Sequence, residues 1–146
     1  MHPLVIQVEK LFLPEVERLA SEMRQLFPAL TFNVWRSPVG ILTQHQGYDF
    51  GVECVFPANT LDISDNVALS VELFDLTSTA RVMAEVGWGH PSGDIEASFR
   101  DDWQSSAQWP EATPTVLSEL EQSFPRLILA FRSAVQRGAP PTSNSQ

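Results

Sequence analysis

Apolar residues at Leu4, Val8, Leu11, Phe12, Val16, Leu19, Met23 and Leu26 recur in steps of three and four. That spacing lines one face of a helix. Pro3 suits a first-turn position, and Pro28 stops the helix near Phe27. Pro14 interrupts the stripe and removes a backbone donor, which leaves residues 3–13 readable as helix or as an extended piece. A kinked helix through Pro14 is the preferred reading.

From Leu30 the period changes to two. Leu30, Phe32 and Val34 alternate with Thr31, Asn33 and Trp35, and Ser37-Pro38 closes the run. Further alternations put Tyr48, Phe50, Val52, Cys54 and Phe56 on one side, then Val67, Leu69, Val71 and Leu73, then Val82, Ala84, Val86 and Trp88. A shorter fifth run holds Ile95, Ala97 and Phe99 opposite Glu96 and Ser98. The linkers carry turn residues and are too short for crossover helices, so the strands form an antiparallel meander with one buried and one wet face. After an irregular stretch that contains Trp103 and Trp109, Thr113 caps a second helix that starts at Pro114. Its stripe runs from Val116 through Leu120, Phe124, Leu127 and Phe131 to Val135, and Gly138 ends it.

These elements predict an α+β fold: an antiparallel sheet of about five strands with the N- and C-terminal helices packed on one face. A single domain is expected over residues 1–137. Residues 138–146, with nothing to bury, read as a disordered tail.

The 146-residue length supports one such core. No apolar run approaches a membrane span, and the N-terminus lacks the basic start and cleavage site of a secretory signal. The single Cys54 excludes an internal disulfide and fits a reducing compartment. The expectation is therefore a cytoplasmic protein with no membrane contact. Net charge is −9, but its distribution says more: residues 1–36 are neutral, residues 113–146 carry +1, and residues 37–112 carry −10. Such a block repels nucleic acid and favours a basic partner.

Candidate chemistry narrows quickly. Gly87, Gly89 and Gly93 superficially resemble a nucleotide-binding fingerprint, but a strand-like run follows them where that motif needs a helix. The HPSG segment reads as a hairpin turn instead. Ser92, His90 and Asp94 sit too close in sequence around that turn to converge as a nucleophilic triad. His2, His45, His90 and Cys54 show no metal-ligand spacing. No catalytic residue, metal or cofactor is expected on these grounds.

The charge block offers a stronger constellation. Glu53, Glu72, Glu85 and Glu96 each fall on the polar parity of a different strand, with Asp49 at one end and Trp35 on the same side. Neighbouring strands would turn them into a carboxylate band across the wet face. Like charges opposite one another destabilise a sheet, so a retained band suggests a use. The expected function is a non-enzymatic protein–protein interaction domain whose acidic face binds a basic partner, of an inhibitor, immunity or small-chaperone type. The alternative is a small-molecule-binding protein or enzyme with a pocket between the sheet and residues 100–112, formed by Tyr48, His90, Asp101, Asp102, Trp103 and Trp109. Homodimerisation through a sheet edge or helix is compatible with both.

Overall fold

The computed structural model describes residues 3–37, 47–57, 66–76, 81–89, 95–96 and 114–138. Helix α1 spans Pro3–Leu26 and is helical on both sides of Pro14, so residues 3–13 belong to it. Val5, Val8, Phe12, Val16, Leu19, Ala20 and Met23 bury its stripe. Its C-terminal end is tied down: Arg24 donates from Nε and Nη2 to the Phe32 carbonyl at 3.2 and 2.8 Å. Four long strands follow, β1 (Thr31–Ser37), β2 (Tyr48–Val55), β3 (Asn66–Phe74) and β4 (Arg81–Gly89), then a two-residue β5 (Ile95–Glu96). Helix α2 spans Pro114–Gly138 and carries Pro125 inside it.

The strands pair in sequence order, each antiparallel to the next. The sheet is thus a meander of four long strands with the described residues Ile95 and Glu96 of a fifth at the β4 edge, within the expected run Ile95–Phe99. The rest of that run, the HPSG turn, residues 100–112 and the tail after Gly138 lie outside the described residues.

Alternation decides what each face does. Phe50, Val52, Cys54, Val67, Leu69, Val71, Leu73, Val82, Ala84 and Val86 are buried on one side. Helix α1 lies against β1 and β2 there, and α2 against β3 and β4. The helices also meet each other: the Phe12 and Phe124 rings stand 4.9 Å apart at 39°. Such side chains each contribute roughly 1.5–3 kcal/mol on burial, and the helix face of the sheet therefore carries most of the apolar driving force.

At the β3–β4 connection Asp75 has φ of 54°, a left-handed conformation that Asp tolerates better than most residues. It accepts a hydrogen bond from Arg81 Nε at 2.9 Å, and the Arg81 guanidinium stands 5.6 Å from the Phe74 ring centroid. This fixes where the positive charge of Arg81 goes.

Candidate functional site

Strand register turns the sequence pattern into a map of the face away from the helices. Reading across β1 to β4, one row is Asn33, Glu53, Ala68 and Gly87. The next is Trp35, Gly51, Ser70 and Glu85. The third is Ser37, Asp49, Glu72 and Met83. Rows on one face are two residues apart, about 7 Å, and side chains one row apart reach one another diagonally.

Three of the expected acidic residues come together on this map. Asp49 stands directly opposite Glu72 across β2 and β3, and Glu85 is diagonal to Glu72 across β3 and β4. All three are half-buried. Among the described residues, Glu72 Oε2 is buried and has no hydrogen-bond partner. Burial first, then the charges of Glu85 and Asp49, push the Glu72 carboxyl up to about 8. Each of these disfavours the ionised form in the same direction.

Glu53 does not join this group. Glu53 pairs with Ala68, four residues along β3 from Glu72, or about 13 Å at strand rise. Its Oε1 instead accepts a hydrogen bond from Asn33 Nδ2 at 3.3 Å. Glu96 pairs with Trp88 along the backbone, and its side chain lies outside the described residues. Among the described side chains the expected band is therefore an Asp49–Glu72–Glu85 cluster, with Glu53 apart from it.

Trp35 stands opposite Gly51, between the row of Glu53 and the row of Glu72. A Cβ at Gly51 would lie 2.7 Å from Trp35 Cη2 and 2.1 Å from the Leu69 carbonyl oxygen. The missing side chain is what lets the indole lie down on the strand beside the carboxylates. Glycine inside a strand often marks such a close approach.

The second polar cluster lies on the opposite face, and the sequence reading did not assemble it. Glu9, on the buried stripe of α1, is 9% exposed. Arg36 donates to it from Nε and Nη2, both at 2.8 Å, and Tyr48 donates its hydroxyl at 2.5 Å. The bidentate Arg36 contact, then the Tyr48 hydrogen bond, hold the Glu9 carboxyl below its usual range against the opposing effect of burial. Burial and the Glu9 bond raise Tyr48. Two signs in the sequence pointed here: an acidic residue four positions after Val5 and three before Phe12, and Arg36 on the core parity of β1.

That placement also changes the pocket alternative. Tyr48 is committed to Glu9 under α1, away from the acidic cluster. His90, Asp101, Asp102, Trp103 and Trp109 lie outside the described residues. A groove of about 110 Å³ between the helices, lined by Leu11, Phe124 and Ile128 with Glu15 and Glu121, falls short of the roughly 300–1,000 Å³ of small-molecule sites. Cys54 is fully buried, and burial, then Glu53, push its thiol up to about 12, far from reactive thiolate character. Among the described residues no three His, Cys, Asp or Glu are grouped to hold a metal ion, and no helix is long and apolar enough to cross a membrane. Comparison with protein-family models, curated proteins and solved structures finds no match to this chain.

Proposed function

We propose that this domain is a non-enzymatic protein–protein interaction module whose acidic sheet face receives a basic segment of a partner, as an inhibitor, immunity protein or small chaperone would. The observation that carries this reading is Glu72, whose buried Oε2 lacks a hydrogen-bond donor while two carboxylates crowd it. An arriving guanidinium would supply donors to that oxygen through charge-assisted hydrogen bonds. Trp35, in the adjacent row, offers an aromatic face on which a guanidinium stacks. The acidic residues Asp49, Glu53, Glu72 and Glu85 on this side of the sheet would steer a basic partner toward it.

A small cationic molecule is the second reading. Half-burial of Asp49, Glu72 and Glu85 favours it, because a compact ligand fits a partly covered patch better than a broad protein surface does. Calorimetry with an acetylated hexa-arginine peptide tests the first reading. Wild-type protein binds the peptide at low salt and loses it as salt screens the charges. Reversing Glu72 and Glu85 to Lys abolishes binding, while Glu53→Lys alone weakens it less, since Glu53 stands four residues along the strand. Equal losses from all three, or no binding at low salt, would sink the assignment to this cluster. A thermal-shift response to arginine-sized amines without peptide binding would favour the second reading.

A further inference from the structure

By register Glu72 lies between Asp49 and Glu85 on the acidic face, and the surrounding charges bear on whether Glu72 holds its proton. Glu72 faces Asp49 from β2, and from β4 it faces Met83 directly with Glu85 and Arg81 on the two diagonals. Arg81 is engaged by Asp75 and lies over Phe74. Arg36 and Tyr48 belong to the Glu9 cluster on the other side of the sheet. Among the described residues no cation therefore reaches Glu72 Oε2, which is buried and without a partner.

From this geometry we infer that a cationic side chain docking at the Asp49–Glu72–Glu85 cluster displaces a proton from Glu72, so that the face binds more tightly as pH rises. The inference rests on the interaction reading above and adds its regulation. A carboxyl with a buried, partnerless oxygen and acidic neighbours is disfavoured in its ionised form, which is the position of Glu72. Its carboxyl, raised to about 8, is mostly neutral at neutral pH. A guanidinium placed against it favours the ionised form, and the proton leaves to solvent. Ligand and proton are then competitors, and linkage requires affinity to rise by up to about tenfold for each pH unit below that value. Arginine keeps its own charge throughout, so the pH dependence belongs to the protein.

The test has two arms. In the first, carboxyl-carbon NMR follows Glu72 in the free wild-type protein. A midpoint near 8 supports the inference, and one in the ordinary carboxylate range overturns it. In the second, the acetylated hexa-arginine peptide is titrated into wild type and Glu72→Gln at about pH 6 and about pH 9. Wild-type affinity should rise roughly tenfold or more, and the rise should largely vanish in Glu72→Gln, which carries no proton to displace. The same pH dependence in both proteins overturns proton displacement and leaves the docking reading intact. No binding at any pH removes the docking reading and this inference together. Should Glu72→Gln fold poorly, wild-type titrations in buffers of different ionisation enthalpy count the released proton directly, and a count of zero overturns the inference.

Discussion

Glu9 and Glu72 are glutamates enclosed on opposite sides of one sheet, and their surroundings push them in opposite directions. Glu9 lies among apolar side chains on α1, yet it accepts three hydrogen bonds, two of them from a guanidinium. Glu72 lies on the nominally wet face, and it has a buried oxygen without a donor and two acidic neighbours. Burial raises both carboxyls, so burial alone does not give the opposite signs. The partners do. A carboxylate supplied with donors is part of the scaffold, and one denied them is disfavoured in its ionised form.

The pH dependence of stability follows from the two shifts with opposite signs. Glu9, lowered in the folded state, contributes stability that is present above the ordinary carboxylate value of 4.5 and is lost as pH falls through its folded value. Glu72, raised in the folded state, contributes fully below 4.5, and its contribution is lost as pH climbs toward about 8. Stability should therefore decline on both sides of mildly acidic pH, by one residue on each side.

The largest expected effect breaks the satisfied side of this comparison. Glu9→Ala removes the acceptor of Arg36 and Tyr48 and should cost about 2–3 kcal/mol in urea unfolding at neutral pH. It should also reduce the acid-side decline, and an unchanged acid limb would place that decline elsewhere. Next comes Gly51→Ala, which leaves every charge in place. Its new methyl group would meet the Leu69 carbonyl and the Trp35 ring, for a cost of about 1–3 kcal/mol with a shift in tryptophan emission. Full stability with unchanged emission would show that the indole does not rest there. The smallest effect is a control at the rim of the groove between the helices. Glu15 pairs with Arg18 at 3.2 Å with both side chains open to solvent, so Glu15→Gln should change stability by less than about 0.5 kcal/mol in urea unfolding.

The elements themselves were legible because their signals are local. Alternation marked all four long strands to within two residues at each end, and the helical stripes carried α1 and α2 across Pro14 and Pro125. What was not legible depends on relations between strands. Nothing in the spacing of Glu53, Glu72, Glu85 and Glu96 says which residue stands across from which, and a shift of four residues along β3 separates Glu53 from the rest. The Glu9–Arg36–Tyr48 cluster needed only a charged residue on each of two buried stripes. It was within reach of a reading that asked what an acidic residue does on an apolar face.

The order of the strands bears on how the chain reaches this state. Because the meander follows the sequence, each strand pairing closes a short segment, and the sheet can grow by successive hairpins. The contacts between the helices are different in kind: Arg132 on α2 reaches Glu22 on α1 across 110 residues of chain. Loop closure over that span gains little until the strands between have shortened it. The sheet should therefore be largely formed when α2 docks, with the helix–helix seam consolidating late. Substitutions at Phe124 would then mainly accelerate unfolding, and substitutions at Val71 would mainly slow folding.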